Sequence, residues 1–370
     1  MTSRKVLILA VAAVAVLAIA LLLSQRNATS EIKEAQALYP DLKKELNAVT
    51  AVRIFKAGDT QSVEIARKDN QWVVTERSGF PANTAKVNKL LIALGDAKPV
   101  EEKTSNPESY AALGVEDVNA AAATGTRIEV QGTQPPVNLI VGKSAGARGA
   151  YVRRAGEAAS WLIDQNIDVS STPGEWLRTS IVDVTADRVQ SAIVTTAGAK
   201  PYTVEKTARA DEDFKTTAVP KGKEADQYAL NGFATALSGL NLSDVRPAKD
   251  FESEKPAGHV TFRTFDGLVA DLEGWEKDGK HFVAVNTSYD AELAQRFHVE
   301  TKPAADSKVP ENAADEKKSE QAATAPAKSA TDNVAQTAKT TNDQLKGWVF
   351  EIPDYKYEAI FKPSTALVKK

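Results

Sequence analysis

Apolar residues occupy every position from Val6 to Leu23, and beyond that run the pattern breaks into short alternating stretches. As a helix, the run spans about 27 Å, close to the ~30 Å hydrocarbon core of a bilayer. Arg4 and Lys5 stand before it, which by the positive-inside bias keeps the N-terminus cytoplasmic and sends the remainder outward. A cleaved leader needs a shorter apolar region with small residues at its exit. Leu21-Leu22-Leu23-Ser24-Gln25-Arg26 offers no such exit, so residues 1–27 are expected to form an uncleaved transmembrane anchor. Ile32, Leu38, Leu42 and Leu46 then recur on a polar background, the pattern of a helical stalk over 28–48.

Strand signals follow. Val49–Phe55, Ser62–Arg67 and Gln71–Thr75 alternate or are rich in β-branched residues, and Ala57-Gly58-Asp59 and Lys68-Asp69-Asn70 separate them as turns. Val87, Leu90, Leu91 and Leu94 predict a helix starting at about Asn83 and closed by Gly95. Asn106 to Val115 reads as a turn or short helix ended by Gly114, and Ala120–Ala123 as a loop. Strands are predicted again over Thr126–Val130, Val137–Val141, Tyr151–Arg153 and Ser160–Ile163. After Thr172-Pro173-Gly174 the series restarts: strands at Val189–Thr195, Tyr202–Glu205 and Asp213–Thr217, a helix over Tyr228–Leu240, then strands at His259–Phe265, Val269–Trp275 and His281–Asn286. The order of elements predicts an α+β fold with an internal duplication: two similar units of antiparallel sheet plus helix, 49–171 and 172–300. Residues 301–343 contain no aromatic, Leu or Ile, too little apolar surface to offset the entropy of ordering, and read as a disordered insertion. The aromatic-rich 344–370 reads as a C-terminal strand segment that returns to pack on the second unit.

Composition narrows the function more by exclusion than by assertion. A net charge of −3 gives no basic footprint for nucleic acid, and zero cysteines remove disulfides, lipidation at a lipobox and thiolate metal sites. His259, His281 and His298 share no ligand spacing; the first two are expected on strand faces. Gly142-Lys143-Ser144 resembles the tail of a phosphate loop but lacks the earlier glycine, and Gly146-Ala147-Arg148-Gly149 reads as a turn. No Gly-x-Ser-x-Gly elbow occurs. Asp183, Asp187, Asp266 and Asp271 read as caps and solvated faces, although two carboxylates across a cleft would suit a glycosidase-type hydrolase. Arg153, Arg154 and Arg178 are candidates for an acidic partner, with a solvated strand edge as the plainer alternative. Trp176, in the Pro-Gly turn between the units, is expected to fill the seam between them. No catalytic residue, cofactor or metal is expected.

Ordered motifs along the chain resemble those of a bacterial family, the domain of unknown function 4340. They are Gln71-Trp72-Val73-Val74, Pro81-Ala82-Asn83 before the helix, Tyr110-Ala111-Ala112-Leu113-Gly114-Val115, Leu139-Ile140-Val141-Gly142, Gly149-Ala150-Tyr151-Val152-Arg153, Glu175-Trp176-Leu177-Arg178 and Gly347-Trp348-Val349-Phe350-Glu351-Ile352-Pro353. The resemblance implies one N-terminal membrane helix, an extracytoplasmic body and association with an ABC-type transporter of the gliding-motility class. The implied partners are the permease and its own anchored auxiliary subunit. The expectation is therefore a non-enzymatic accessory or scaffold subunit in the bacterial inner membrane, its body periplasmic. A binding module for peptidoglycan or polysaccharide is the alternative, and a carboxylate-pair hydrolase a more distant one.

Overall fold

The computed structural model describes residues 36–297 and 330–369. The chain divides into two units, one comprising residues up to Glu76 together with Pro81–Trp176, the other Arg77–Phe80 together with Leu177–Lys370. The division at 176/177 lies five residues beyond the boundary at 171/172 that the Pro-Gly turn predicts. Both units are α+β and dominated by antiparallel sheet.

The first sheet and its helices comprise β1 (Ala51–Lys56), β2 (Thr60–Lys68), β3 (Gln71–Val74), β4 (Phe80–Pro81, at the division between the units), helix α1 (Thr84–Asp96), β5 (Pro99–Thr104) and α2 (Tyr110–Leu113). These are followed by β6 (Thr126–Gln131), β7 (Val137–Ser144), β8 (Ala150–Arg154) and β9 (Ser160–Ile163). The strands line up as β4-β3-β2-β1-β6-β7-β8-β9-β5. Their register stacks apolar residues across the sheet: Val52 faces Ile65 and Val130, Ile54 faces Val63 and Ile128, and Ile128 faces Leu139. All are sealed from solvent, as the period-two pattern requires of a one-sided core. Helix α1 buries Val87, Leu90, Leu91 and Leu94 on one stripe, and the Asn83 side chain caps it by accepting from the Lys86 N–H at 3.0 Å.

The second unit contains β10 (Ser180–Val182), β11 (Val189–Thr196), β12 (Tyr202–Glu205), β13 (Lys215–Thr216), α3 (Gln227–Asn231), β14 (Leu240–Asn241), β15 (Asp244–Pro247) and β16 (Gly258–Thr264). It continues with β17 (Leu268–Lys277), β18 (Lys280–Tyr289), α4 (Ala291–Arg296), α5 (Ala330–Leu345), β19 (Trp348–Ile352) and α6 (Asp354–Ile360). Its main sheet runs β13-β12-β11-β16-β17-β18-β19-β15, and β10 pairs with β14 alone. Val194 faces Val260, Val260 faces Leu272 and Leu272 faces Val285, while Phe251, Trp275, Phe282 and Val349 make a separate cluster. Gly258 and Gly274 lie opposite one another, and Phe361 lies over both. A Cβ on Gly274 would stand 2.5 Å from the ring, so glycine is needed there for close approach.

Three expectations change. Over the described residues 36–48 the stalk is not helical but a run of turns inside the first unit, with Leu38, Tyr39 and Leu42 buried. Pro40 removes a backbone donor within that run and disfavours helix at Tyr39 before it. The single helix expected over Tyr228–Leu240 is instead a short α3 continued as a 3₁₀ turn over Gly232–Thr235, since Gly232 weakens helix in mid-run. The insertion expected to be disordered over 301–343 holds, over Ala330–Leu345, helix α5, which docks on β18. Its Ala, Gln, Lys and Leu content permits helix, and Ala338 and Leu345 give it a small buried face. Residues 1–35, with the anchor Val6–Leu23, and 298–329, with His298, lie outside the described residues. Among the described residues no helix is long and apolar enough to cross a membrane.

Candidate functional site

Of the four residues that sequence singles out for contact, three are occupied within the first unit. Trp176 is fully buried. Its indole N–H donates to Ser170 O at 2.8 Å, its carbonyl accepts from the Asn83 N–H at 2.7 Å, and Lys86 Nζ lies 4.8 Å from its ring. Trp176 thus fixes the start of α1. Arg153 is 2% exposed, contrary to the expected solvated strand edge. Its guanidinium donates to Val115 O at 2.7 Å, Glu157 O at 2.9 Å and Asp117 Oδ1 at 2.5 Å, and lies 4.5 Å from the Tyr110 ring. Those contacts exhaust most of its donors and hold α2 and the following loop to β8. Arg154 donates to Leu38 O at 2.6 Å, lies over Tyr39 and pairs loosely with Glu157, so it ties the 36–48 turns to β8.

Arg178 is different. It lines a cleft of about 440 Å³ in the second unit, together with Ser180–Val182 of β10, Asp183, Arg188, Asp266, Leu268, Thr287 of β18 and one side of α5. The α5 residues are Asn333, Val334, Thr337, Thr341 and Gln344, whose spacing places them along one helix face. Arg178 Nη1 donates to Gln344 Oε1 at 2.6 Å, and its Nε–H is sealed from solvent without an acceptor. Among the described residues no carboxylate stands within ion-pair distance of it. Burial pulls this guanidinium below the ordinary arginine range, since the charged form is the one that loses hydration.

The other charges of the cleft are answered. Arg188 grips Asp266 through Nε at 2.8 Å and Nη2 at 3.3 Å. Burial pushes the Asp266 carboxyl up, but hydrogen bonds from Arg188 and Thr264, with the Arg188 charge, outweigh it and leave the group below the usual carboxylate range. Asp183 accepts from the Gly239 N–H at 2.7 Å. Of the remaining acidic candidates, Asp187 accepts from Thr185 Oγ1 at 2.6 Å and Asp271 from Thr261 Oγ1 at 2.5 Å.

The remaining motifs have structural places. Lys143 donates to the carbonyls of Ala111 and Ala112, so Gly142-Lys143-Ser144 serves the end of α2. Gly146–Arg148 is a 3₁₀ turn between β7 and β8. His259 sits on β16; His281 on β18 meets Asp354 Oδ1 at 2.8 Å and stacks on Tyr357. Among the described residues, no group of three or more His, Cys, Asp or Glu is placed to hold a metal.

The Arg188–Asp266 pair and the α5 wall are missed by motif reasoning. The signal available was the three- and four-residue spacing of Asn333, Thr337, Thr341 and Gln344, within a stretch whose composition argues against order.

Among known proteins, no curated sequence and no solved structure matches this chain. A family model, described as Domain of unknown function (DUF4340), matches residues 72–273, which run from β3 of the first unit into β17 of the second. Because that match takes in more than half of the sequence, with strands of both large sheets, this chain belongs to the DUF4340 family.

Proposed function

We propose that the chain is a membrane-anchored, extracytoplasmic accessory subunit of scaffold type. It serves an ABC-type transport or cell-envelope complex and performs no chemistry of its own. The observation that carries this reading is the unbroken apolar run Val6–Leu23 behind Arg4 and Lys5, which supports both anchorage and sidedness. Its partners are the permease and the auxiliary subunit of the transporter, in line with the family resemblance.

The body is read as a duplication. The strand order β3-β2-β1-β6-β7-β8-β9-β5 in the first unit becomes β13-β12-β11-β16-β17-β18-β19-β15 in the second when ten is added to each number. Eight strands in the same order, with a helix lying between β3 and β5 in one unit and between β13 and β15 in the other, support one ancestral unit copied in tandem.

The topology has a direct test, because the natural chain holds no cysteine. A single cysteine placed at Tyr228, which is 91% exposed, is expected to react with a membrane-impermeant maleimide added from the extracytoplasmic side. Labelling only after the membrane is breached from the cytoplasmic side would overturn the sidedness. Purification from mildly solubilised membranes is expected to bring down a permease and an ATPase; recovery of the chain alone in several mild detergents would overturn the complex.

A second reading, a binding module for an envelope polymer, is favoured by Tyr228 and Tyr355, two exposed aromatic side chains of the second unit. Retention on isolated cell-wall material that is lost in Tyr228→Ala and Tyr355→Ala would decide for it.

A further inference from the structure

The equivalence of strands singles out one place where the second unit departs from the first. Between β8 and β9 the chain needs only residues 155–159, whereas between β18 and β19 it takes residues 290–347, including α4 and α5. Helix α5 is held to β18 largely by polar contacts. Thr287 N–H donates to Asn342 Oδ1 at 3.1 Å, and Thr287 Oγ1 donates to Ala338 O at 2.7 Å. Of its described side chains only Ala338 and Leu345 are buried. Apolar burial therefore contributes little to docking this helix. What α5 adds is a row of amides and hydroxyls facing the cleft that holds Arg178.

The charges there leave one need unmet. Arg188 is neutralised by Asp266, and Asp183 is engaged by the Gly239 N–H. Arg178 keeps its charge partly out of water with a single neutral acceptor, and its Nε–H has none. A cation held in that way is stabilised by an oxyanion, whose two oxygens match the planar fork of a guanidinium. The cleft volume, about 440 Å³, falls in the ~300–1,000 Å³ range of small-molecule sites. Asp183, which also lines the cleft, disfavours a polyanion and offers an acceptor to a hydroxyl donor.

We propose that this cleft is a binding site for a small hydroxylated molecule bearing one oxyanion, a carboxylate or a phosphate. Arg178 receives the oxyanion, while Ser180, Asp183, Asn333, Thr337 and Thr341 receive its hydroxyls. Sugar acids and sugar phosphates have this chemistry and size. The site stands independently of the anchored-scaffold reading, because it uses only residues within the second unit.

The test is calorimetric titration of the full chain in detergent micelles with glucuronate, glucose 6-phosphate, inorganic phosphate and, as the neutral control, glucose. At least one sugar anion is expected to bind with glucose silent; a preference for glucuronate or for glucose 6-phosphate identifies the oxyanion. Arg178→Met is expected to weaken that binding roughly 10- to 100-fold, the range for a hydrogen bond to a charged group. Arg178→Lys retains part of it, and Thr337→Val, on the exposed face of α5, gives a smaller loss. Bound ligand is also expected to slow amide exchange over residues 333–345. Absence of binding by all three anions at ~10 mM, far above physiological Kd values, overturns the proposal. So does glucose binding as well as glucuronate, or undiminished binding in Arg178→Met. If Arg178→Met does not fold, Arg178→Lys and Thr337→Val decide, and wild-type affinity in both overturns it.

Discussion

Arg153→Met tests whether this arginine serves the fold or a partner. The guanidinium donates to three oxygens, and one of them, the carbonyl of Val115, belongs to a residue with no solvent exposure. Removing it strands that acceptor, at about 1–3 kcal/mol for a buried group left unmet, whereas the carbonyl of exposed Glu157 can turn to water. The contact over Tyr110 adds about 0.5–1 kcal/mol. Asp117 is 59% exposed, so its ion pair contributes little, and the methionine side chain recovers part of the apolar packing. The net expectation is a loss of roughly 2–3 kcal/mol, which is about a 30- to 150-fold faster amide exchange under conditions where exchange reports local stability. Mass-spectrometric exchange of peptides covering 110–118 and 150–163 measures it directly. A change below ~1 kcal/mol, about fivefold, refutes the assignment. Should complex recovery then fall while exchange stays unchanged, Arg153 acts at a partner surface.

Three further outcomes follow from the same structure. Asn83→Ala removes the cap of α1 and is expected to cost about 1 kcal/mol, read as a lower denaturation midpoint at unchanged slope; no shift would mean the cap is replaced by solvent. Asp266→Asn is expected to destabilise by about 1–2 kcal/mol at neutral pH. Because the folded carboxyl lies below its ordinary 3.8, that contribution is present above 3.8 and lost as pH falls through the lowered value. Wild type and variant should therefore converge in acid, and a gap that widens there would contradict the pairing. Burial, with the Glu276 charge adding, pushes the Tyr357 phenol up to about 12. Its folded, neutral form is fully favoured below pH 10 and loses that advantage as pH climbs towards 12, so Tyr357→Phe should extend the alkaline range of the fold. Absorbance titration that finds all phenols ionised below pH ~11 in the folded protein would refute this.

Periodicity located most strands because each presents a one-sided apolar ladder. Ser160–Ile163 and Tyr202–Glu205 coincide with observed strands, and of Asn83 and Thr84, either of which the pattern allows as cap, Asn83 is the one that caps the helix. Pro99–Thr104 escaped because its Glu-Glu-Lys centre is that of a charged sheet edge, where pairing to β9 is set by the backbone and not by apolar alternation. Asp244–Pro247 is short and ends in proline, and only its register with β19 makes it a strand. Arginines are the least legible residues. Arg153, Arg154 and Arg178 look alike in sequence, yet three carbonyl and carboxylate oxygens satisfy the first, a main-chain carbonyl and an aromatic ring hold the second, and the third faces a cleft. Only tertiary placement separates a side chain that completes a fold from one left to bind.

The position of β19 has a consequence for synthesis. It leaves the ribosome after every other strand of its sheet, yet it sits between β18 and β15 and not at an edge. Until Trp348–Ile352 emerges, both neighbours present naked backbone to any passing strand. A chain stopped after Leu345 would thus be not merely shorter but sticky.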